Sequence, residues 1–346
     1  MKTKKIIFTG GGSGGHLFPA LNLMDKVSDK EIYYIGSRSG IERQVVEGRG
    51  IKYYPISTGK LRRYFSLENL KDIFKVLLGI IQAFFIMLRF NRETIVFSTG
   101  GFVSVAPVIA GKLTGKKVYI HEQTSRAGLA NKISSFFADK IFVSFEKSIS
   151  NFPKNKTVYT GYPLREECLD LSLRNETFEN ISLKTENILF ITGGGNGSLF
   201  LNSYIKSNLD YLKSKFLVIH QVGQNYIEEY KDLADDRYIP VDFIDVGMID
   251  IFKSAQVVIS RAGAGTVCEL LALGKPSLFI PLSIAQRNEQ FHNAEEAELK
   301  LGSVIIEEKD CHTENLIEGI NKLLSLKKTD INKSIKNGTE AILEFL

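Results

Sequence analysis

Residues 5–17 read KIIFTGGGSGGHL, and residues 187–197 read NILFITGGGNG. Each is a short apolar run, rich in β-formers, that ends in glycines. A helical pattern, HLFPALNLMDKV, follows the first. An apolar run bounded by turn residues reads as a buried strand, and glycines at its end let the backbone turn sharply and approach a ligand. The theme recurs in both halves. EIYYIG, TIVFST, KVYIHE and KIFVSF follow in the first, and FLVIHQVG, YIPVDFI, AQVVISRAG, PSLFIPL and SVIIE in the second. Strands alternating with helical patterns predict parallel sheets covered on both faces, so the expected class is α/β with two similar doubly wound domains. They are expected to join near Tyr159–Arg165, as domains 1–160 and 161–346, with the amphipathic stretch Ile331–Leu346 packing back onto one of them. Leu171–Asn187 has no strong periodicity and reads as a connecting loop.

The length of 346 residues suits two domains rather than one. With 44% apolar and 24% charged residues and a mean hydropathy of −0.03, the chain is neither disordered, nor fibrous, nor a polytopic membrane protein. Cys168, Cys268 and Cys311 form no CxxC pair, so neither a disulfide framework nor a structural zinc site is expected. The N-terminus MKTKKIIF runs straight into glycines with no apolar stretch long enough for a secretory signal, which predicts a cytoplasmic protein.

Charge is concentrated in one segment. Between Lys52 and Arg92 stand eight basic residues (Lys52, Lys60, Arg62, Arg63, Lys71, Lys75, Arg89, Arg92) and two acidic ones (Glu68, Asp72), an excess of 8 − 2 = +6. A basic patch of this kind fits an anionic partner or a solvated face. Inside it, Ile73–Phe90 (IFKVLLGIIQAFFIMLRF) is nearly apolar but only 18 residues long, against roughly 20 for a bilayer span. Its polar residues Lys75, Gln82 and Arg89 fall seven apart and form one narrow stripe on a helix. Burial inside the protein is the expectation, ahead of a span. A third option rests part of the apolar surface on a membrane.

Three stretches carry chemistry. Gly10, Gly12 and Gly15 satisfy G-x-G-x-x-G, but the next strand ends Tyr34-Ile35-Gly36-Ser37-Arg38, without the carboxylate that holds a ribose. An NAD enzyme is disfavoured, and an NADP enzyme using Arg38 stays as an alternative. His16 follows the loop at a helix N-terminus, where the dipole disfavours a cation and leaves a group able to accept a proton; a structural histidine is the bland alternative. In ISRAGAGTVCE (Ile259–Glu269) a helix begins around Ala264–Thr266, with amides suited to a diphosphate. Glu269, near the end of its first turn, can reach ribose hydroxyls or merely favour the helix dipole. Gln290 and Asn293 follow at helical spacing and can bind a sugar or be ordinary amides.

Together, TGGGSGGHLFPALNL, GKLRRYF, STGGFVSVAP, HEQTSRAGLANK, TGYPLREE, ITGGGNG and SRAGAGTVCELLALGKPSLFIPL, in order from residue 9 to residue 282, closely resemble the MurG family of bacterial N-acetylglucosaminyltransferases. The resemblance implies the GT-B fold, two Rossmann-like domains facing a cleft. It implies inverting transfer of N-acetylglucosamine from UDP-N-acetylglucosamine, held by the C-terminal domain, to the C4 hydroxyl of lipid I, the undecaprenyl-linked acceptor, on the N-terminal one. The product is lipid II for peptidoglycan, and neither cofactor nor bound metal is implied. Sugar-nucleotide contacts carry over to Ser13, Gly14, Gly15, Thr124, Arg165, Gly195, Ile244, the run Ala264, Gly265, Thr266, Val267, Cys268, Glu269, and Gln290. The base role falls to His16 or Glu122. Several positions depart from the family's motifs: Gly-Gly-Tyr reads Gly100-Gly101-Phe102, Asn-Pro-Val reads Tyr162-Pro163-Leu164, and two more fall among the donor contacts. Thr124 stands where HEQN has Asn, and Gly195 where GGSQG has Ser, so that a side-chain contact becomes backbone only. Peripheral binding to an anionic membrane at the cytoplasmic face is implied too, through Phe65, Leu77, Ile80, Ile81, Phe84 and Phe85 ringed by Arg62, Arg63, Lys71, Lys75 and Arg92, and no nucleic acid. A GT-B enzyme with another lipid acceptor is the alternative.

Overall fold

The computed structural model describes residues 5–27, 29–59, 67–184, 187–244, 246–285, 288–326 and 335–346; of residues 67–71 it describes the backbone. The chain divides into two compact units, one of residues 1–164 with 336–346 and the other of 165–335.

Among the described residues of the first unit, seven strands form one parallel sheet in the order β3-β2-β1-β4-β5-β6-β7. They are β1 (Lys5–Thr9), β2 (Glu31–Ser37), β3 (Lys52–Ile56), β4 (Ile95–Ser98), β5 (Lys117–Glu122), β6 (Lys140–Val143) and β7 (Thr157–Tyr159). Its helices are α1 (Gly14–Met24), α2 (Ile41–Gly48), α3 (Leu67–Met87), α4 (Phe102–Leu113) and α5 (Leu129–Ser135). The inner strands read as continuous apolar runs because both their faces are covered. Phe8, Tyr34, Phe97 and Phe142 lie in one core layer, and Ile7, Ile35, Val96, Ile120 and Ile141 in the other.

The second unit begins with a short hairpin, β8 (Thr177–Phe178) and β9 (Ile181–Ser182). The sheet that follows is also parallel, ordered β12-β11-β10-β13-β14-β15. Its strands are β10 (Ile188–Thr192), β11 (Leu217–Gln221), β12 (Tyr238–Val241), β13 (Val257–Ser260), β14 (Leu278–Phe279) and β15 (Val304–Ile305). Around it stand α6 (Leu199–Ser207), α7 (Leu209–Lys215), α8 (Ile227–Lys231), α9 (Met248–Ser254), α10 (Ala264–Ala272), α11 (Glu289–Leu301) and α12 (Thr313–Ser325). In both units the strand order reverses beside the first strand, between β1 and β4 and between β10 and β13. Loops at the carboxyl ends of such a reversal diverge and leave room for a ligand.

Three expectations change. Leu171–Asn187 is not a plain connecting loop: it holds the β8–β9 hairpin, with Glu179 and Asn180 both at positive φ (48° and 67°), as a two-residue turn requires. The stretch is also anchored, since the buried Asp250 carboxylate accepts from the amides of Arg174 and Asn175, each at 3.0 Å, and from Asn175 Nδ2 at 2.9 Å. Second, KYYPI and TVY are strands that the apolar-run reading passed over; they sit at the sheet edge, where polar faces break the pattern.

Third, the stretch Ile73–Phe90, helical as far as Met87 in α3, is only half buried. Gly79, Ala83 and Met87 face the protein, and Gln82 Oε1 accepts from the Ser57 amide at 2.7 Å. Ile73, Phe74, Leu77, Leu78, Ile81, Phe85 and Leu88 are all exposed, Phe74 by 64% and Phe85 by 62%. At about 100° per residue they share one contiguous apolar face. The polar stripe thus borders this face, with Gln82 turned to the protein. No helix among the described residues is long and apolar enough to cross a membrane.

The C-terminal segment returns to the first unit. Tyr162 N–H donates to Lys336 O at 3.2 Å and Gly338 N–H to Tyr162 O at 2.7 Å, and α13 (Gly338–Leu343) follows. Ile342 and Leu346 join the core of Phe8 and Phe142, and the Phe345 ring centroid lies 5.1 Å from that of Phe142. Ile342→Ala is expected to destabilise the first unit by about 2–4 kcal/mol, the range for emptying a fully buried branched side chain. Urea unfolding followed by amide exchange should show that loss in the first unit and not in the second.

Candidate active site

In the first unit β1 hands over to α1 through Gly10–Ser13. The loop is shaped by Glu42, a fully buried carboxylate on α2. It accepts from Gly12 N–H at 3.3 Å, Ser37 N–H at 3.1 Å and Ser37 Oγ at 2.5 Å. A Cβ on Gly11 would lie 2.5 Å from its carboxyl carbon, so only glycine fits. No cation pairs with Glu42 among the described residues. An acceptor held under the loop occupies the Gly12 amide and opposes a phosphate there, which counts against the dinucleotide reading. Arg38, the residue that reading needs, is solvent-exposed.

His16, half-buried in the first turn of α1, has its Nδ1 3.0 Å from Thr99 O. A carbonyl only accepts, so this contact assigns the proton to Nδ1 and leaves Nε2 as the ring's open acceptor. Thr99 is held in turn: its amide donates to Thr9 O at 2.9 Å, its hydroxyl to His16 O at 2.6 Å, and its carbonyl also receives Gln123 Nε2 at 2.6 Å. Gly100 and Gly101, at φ 89° and 79°, keep the imidazole's seat clear. A Cβ on Gly101 would stand 3.0 Å from His16 Cδ2 and 2.3 Å from Gly11 O.

Glu122, at the end of β5, is buried, and its carboxylate is largely engaged. It accepts from Thr124 N–H at 3.0 Å, Gly128 N–H at 3.1 Å and Asn131 Nδ2 at 3.1 Å, while the single proton of the Thr124 hydroxyl lies between Glu122 Oε1 at 2.7 Å and Arg126 O at 2.5 Å. Three nitrogen donors take most of the roughly four lone-pair directions of a carboxylate. Its local role is to close the loop from Gln123 to Gly128 onto α5. Thr124, in its departure from the family motif, is spent on this closure. The neighbouring His121 is fully buried against Gly161 O and Ser144 Oγ, each 3.2 Å from Nε2, and burial pushes its pKa down to about 4. Of the groups at these strand ends, His16 alone presents an unspent basic atom at a partly open surface.

In the second unit β13 ends at Ser260 and α10 starts at Ala264. The amides of Ala264, Gly265 and Thr266 open the helix, as first-turn amides do. Val267 N–H is already bonded to Gly263 O at 3.0 Å, and the side chains of Val267 and Cys268 lie in the core. These two residues therefore offer a ligand less than the run Ala264–Glu269 led one to expect. Glu269 falls in the second turn, not the first, so it is no helix-opening charge. It is 7% exposed and pairs with Arg165 Nε at 2.9 Å. Burial raises its carboxyl above the usual range, while the Arg165 guanidinium opposes that rise.

The second glycine loop, Gly193–Gly197, leaves Gly195 exposed, with Phe243 beside it. Gln221 bridges this loop to the next: Nε2 donates to Gly194 O at 3.0 Å and Oε1 accepts from Ile244 N–H at 3.1 Å. The Ile244 amide is thus engaged within the protein. Gln290 Oε1 accepts from Leu282 N–H at 3.0 Å. Asn293 is buried, with Nδ2 on Ala262 O at 3.2 Å, and so positions the loop rather than a sugar.

Sequence patterns had not singled out Glu42, Thr99, Gln123, Asn131 or Arg261. Arg261 is buried and donates from Nε to Ser198 Oγ at 3.0 Å and from Nη1 to the carbonyls of Ile280 and Pro281 at 3.0 and 3.2 Å, and it pairs with Glu308 at 2.7 Å. The signal was its place: a long cation between a buried strand and a glycine has loop backbone to satisfy. Of the residues expected at a membrane, Arg62, Arg63, Phe65 and the Lys71 side chain lie outside the described residues. Leu77, Ile81 and Phe85 are exposed. Lys75 is exposed beside Asp72, and Ile80 and Phe84 pack against the core. Among the described residues no group of three or more His, Cys, Asp or Glu could hold a metal.

The glycosyltransferase family 28 N-terminal domain matches residues 6–143 and the family's C-terminal domain residues 188–345. A UDP-N-acetylglucosamine–N-acetylmuramyl-(pentapeptide) pyrophosphoryl-undecaprenol N-acetylglucosamine transferase of Clostridium kluyveri is 41% identical over 354 aligned positions, covering 99% of each chain. One of Clostridium botulinum is 40% identical over 358, again covering 99% of each. The crystal structure of Acinetobacter baumannii MurG has the same fold, at a TM-score of 0.70 and 24% identity, covering 99% of this chain and 98% of that one. From residue 6 to residue 345, this chain belongs to glycosyltransferase family 28, within the N-acetylglucosaminyltransferases of the MurG type.

Proposed function

We propose that this chain transfers N-acetylglucosamine from UDP-N-acetylglucosamine to the C4 hydroxyl of lipid I, giving lipid II and UDP for peptidoglycan synthesis. It is a UDP-sugar-dependent N-acetylglucosaminyltransferase, an activity carried by its full-length relatives. The single observation that most supports the division of labour is the contrast between the two strand-end sites. The first holds a carboxylate beneath its glycine loop and an imidazole with Nε2 open. The second offers helix-opening amides beside the Glu269–Arg165 pair.

In this reading His16 Nε2 takes the proton of the acceptor hydroxyl as its oxygen bonds to C1 of the sugar. The bond from C1 to the β-phosphate oxygen breaks, and inversion follows from attack opposite the leaving UDP. Charge growing on the diphosphate meets the amides of Ala264–Thr266, which are oriented before the reaction begins. Glu269, released in part from Arg165, accepts from ribose hydroxyls. Glu122 holds the loop beside His16 and takes no proton. The enzyme works at the cytoplasmic face of the cell membrane as a peripheral protein, resting the exposed face of α3 on anionic lipid. A different lipid acceptor is the alternative, and a transfer assay offering lipid I or diacylglycerol with labelled UDP-N-acetylglucosamine decides between them.

His16→Ala should cut kcat by about 10²-fold or more while leaving UDP-N-acetylglucosamine affinity unchanged. Near wild-type kcat in that variant would remove His16 as base. Glu269→Gln keeps the shape of the buried pair but loses its charge, and calorimetry should show UDP-N-acetylglucosamine binding weakened by about 1.5–3 kcal/mol. Leu77→Ser with Phe85→Ser should abolish sedimentation with anionic vesicles, since each large apolar side chain buried contributes about 1.5–3 kcal/mol. Both side chains are exposed, so sugar-nucleotide binding should survive.

A further inference from the structure

Where α3 and α4 end side by side in the first unit, an open cavity of about 530 Å³ is lined by Phe84, Leu88, Arg92, Lys112, Leu113 and Lys116 among others. Leu88 and Leu113 are exposed, and Leu88, just past the end of α3, continues its apolar face. The chain forms this corner by ending α4 with Gly115 at φ 72°; Gly115 N–H donates to Lys112 O at 3.1 Å and Lys116 N–H to Gly111 O at 3.0 Å. That turn tucks Lys116 under the helix end, where it is 3% exposed.

The charges of this cavity are unevenly compensated. Lys112 pairs with Asp139 at 2.5 Å. Lys116 donates to the Thr114 hydroxyl at 3.3 Å, and among the described residues no carboxylate pairs with it or with Arg92. Burial first, and the nearby Arg92 second, hold the Lys116 ammonium below the usual lysine pKa. A buried cation without a counter-charge is costly. The cost falls if an anion enters the cavity beside it.

We propose that this cavity is a binding site for the phosphate of an anionic phospholipid headgroup, gripped by Lys116 and Arg92, with the acyl chains running onto Leu88 and the exposed face of α3. The site rests on the membrane reading above and deepens it: a headgroup is taken up at one place, one per protein, rather than by diffuse attraction. Charge complementarity and the joined apolar face favour a lipid over free phosphate.

The test uses the full-length protein with phosphatidylcholine vesicles, with and without phosphatidylglycerol, and soluble glycerophosphate followed by thermal shift. Lys116→Met and Arg92→Gln empty the site. Arg89→Gln removes an exposed charge near the end of α3 that does not line the cavity. Diffuse attraction would make exposed Arg89 matter more than buried Lys116. The site predicts the reverse: Lys116→Met weakens phosphatidylglycerol-dependent binding about fivefold, more than Arg89→Gln, and leaves binding to phosphatidylcholine alone unchanged. Arg92→Gln, at an exposed position where folding is not at stake, should lose a similar factor. Glycerophosphate should raise the melting temperature of the wild type but not of Lys116→Met.

A Lys116→Met protein that changes only its melting temperature, with lipid selectivity intact, would overturn the proposal and leave Lys116 as a charge satisfying the end of α4. Stabilisation by glycerophosphate without any loss of lipid selectivity would overturn the lipid as the source of the phosphate. If the wild type bound no vesicle, the membrane reading would fail; the glycerophosphate shift would then still decide whether the cavity holds a phosphate.

Discussion

A parallel strand that ends where the sheet order reverses must pass the chain to a helix within a few residues, and every amide and carbonyl in that gap needs a partner. Side chains on the loop itself would block the place where a ligand binds. In this protein the partners come from behind, out of the core. Glu42, Gln123, Gln221, Asn293 and Arg261 are buried polar residues whose hydrogen-bonding groups reach forward to loop backbone. The glycines in front of them are what that arrangement requires, since a Cβ on Gly11 would meet the Glu42 carboxylate.

The two units solve the same problem with opposite charge. In the first, a carboxylate with no paired cation among the described residues lies under the loop, which disfavours a diphosphate there. In the second, a guanidinium fixes the loops after β10 and β14 and is itself neutralised by Glu308. A duplicated scaffold acquires two different sites by changing which buried ion supports its turns.

The exposed face of α3 follows from the same economy of burial. A helix lying on a sheet needs only one apolar face, and α3 uses Gly79, Ala83 and Met87 for it. Its second apolar face has no partner within the described residues. Gln82, which the spacing placed in a narrow polar stripe, accepts from the Ser57 amide and anchors the helix at the border between the two faces.

Much of this was legible in the chain alone. Apolar runs ending in glycine determined the parallel sheets and their pairing into two units, because strands covered on both faces cannot alternate. The ordered motifs from residue 9 to residue 282 determined the family, and the family the chemistry. What the chain alone did not decide concerns partners distant in sequence. His16 and Glu122 are equal candidates in the sequence, and what sets them apart is tertiary: Thr99, 83 residues away, orients the His16 ring, while amides of Thr124 and Gly128 and the Asn131 side chain engage Glu122. Glu269 looked like a helix-opening charge until the start of α10 placed it in the second turn, opposite Arg165. Whether α3 is buried or exposed depends on what covers it, and a period of 3.6 residues describes a helix's faces without naming their neighbours. Local pattern determines which backbone conformation is cheapest at each point; the protonation and exposure of a side chain are set by groups that only the folded chain brings near.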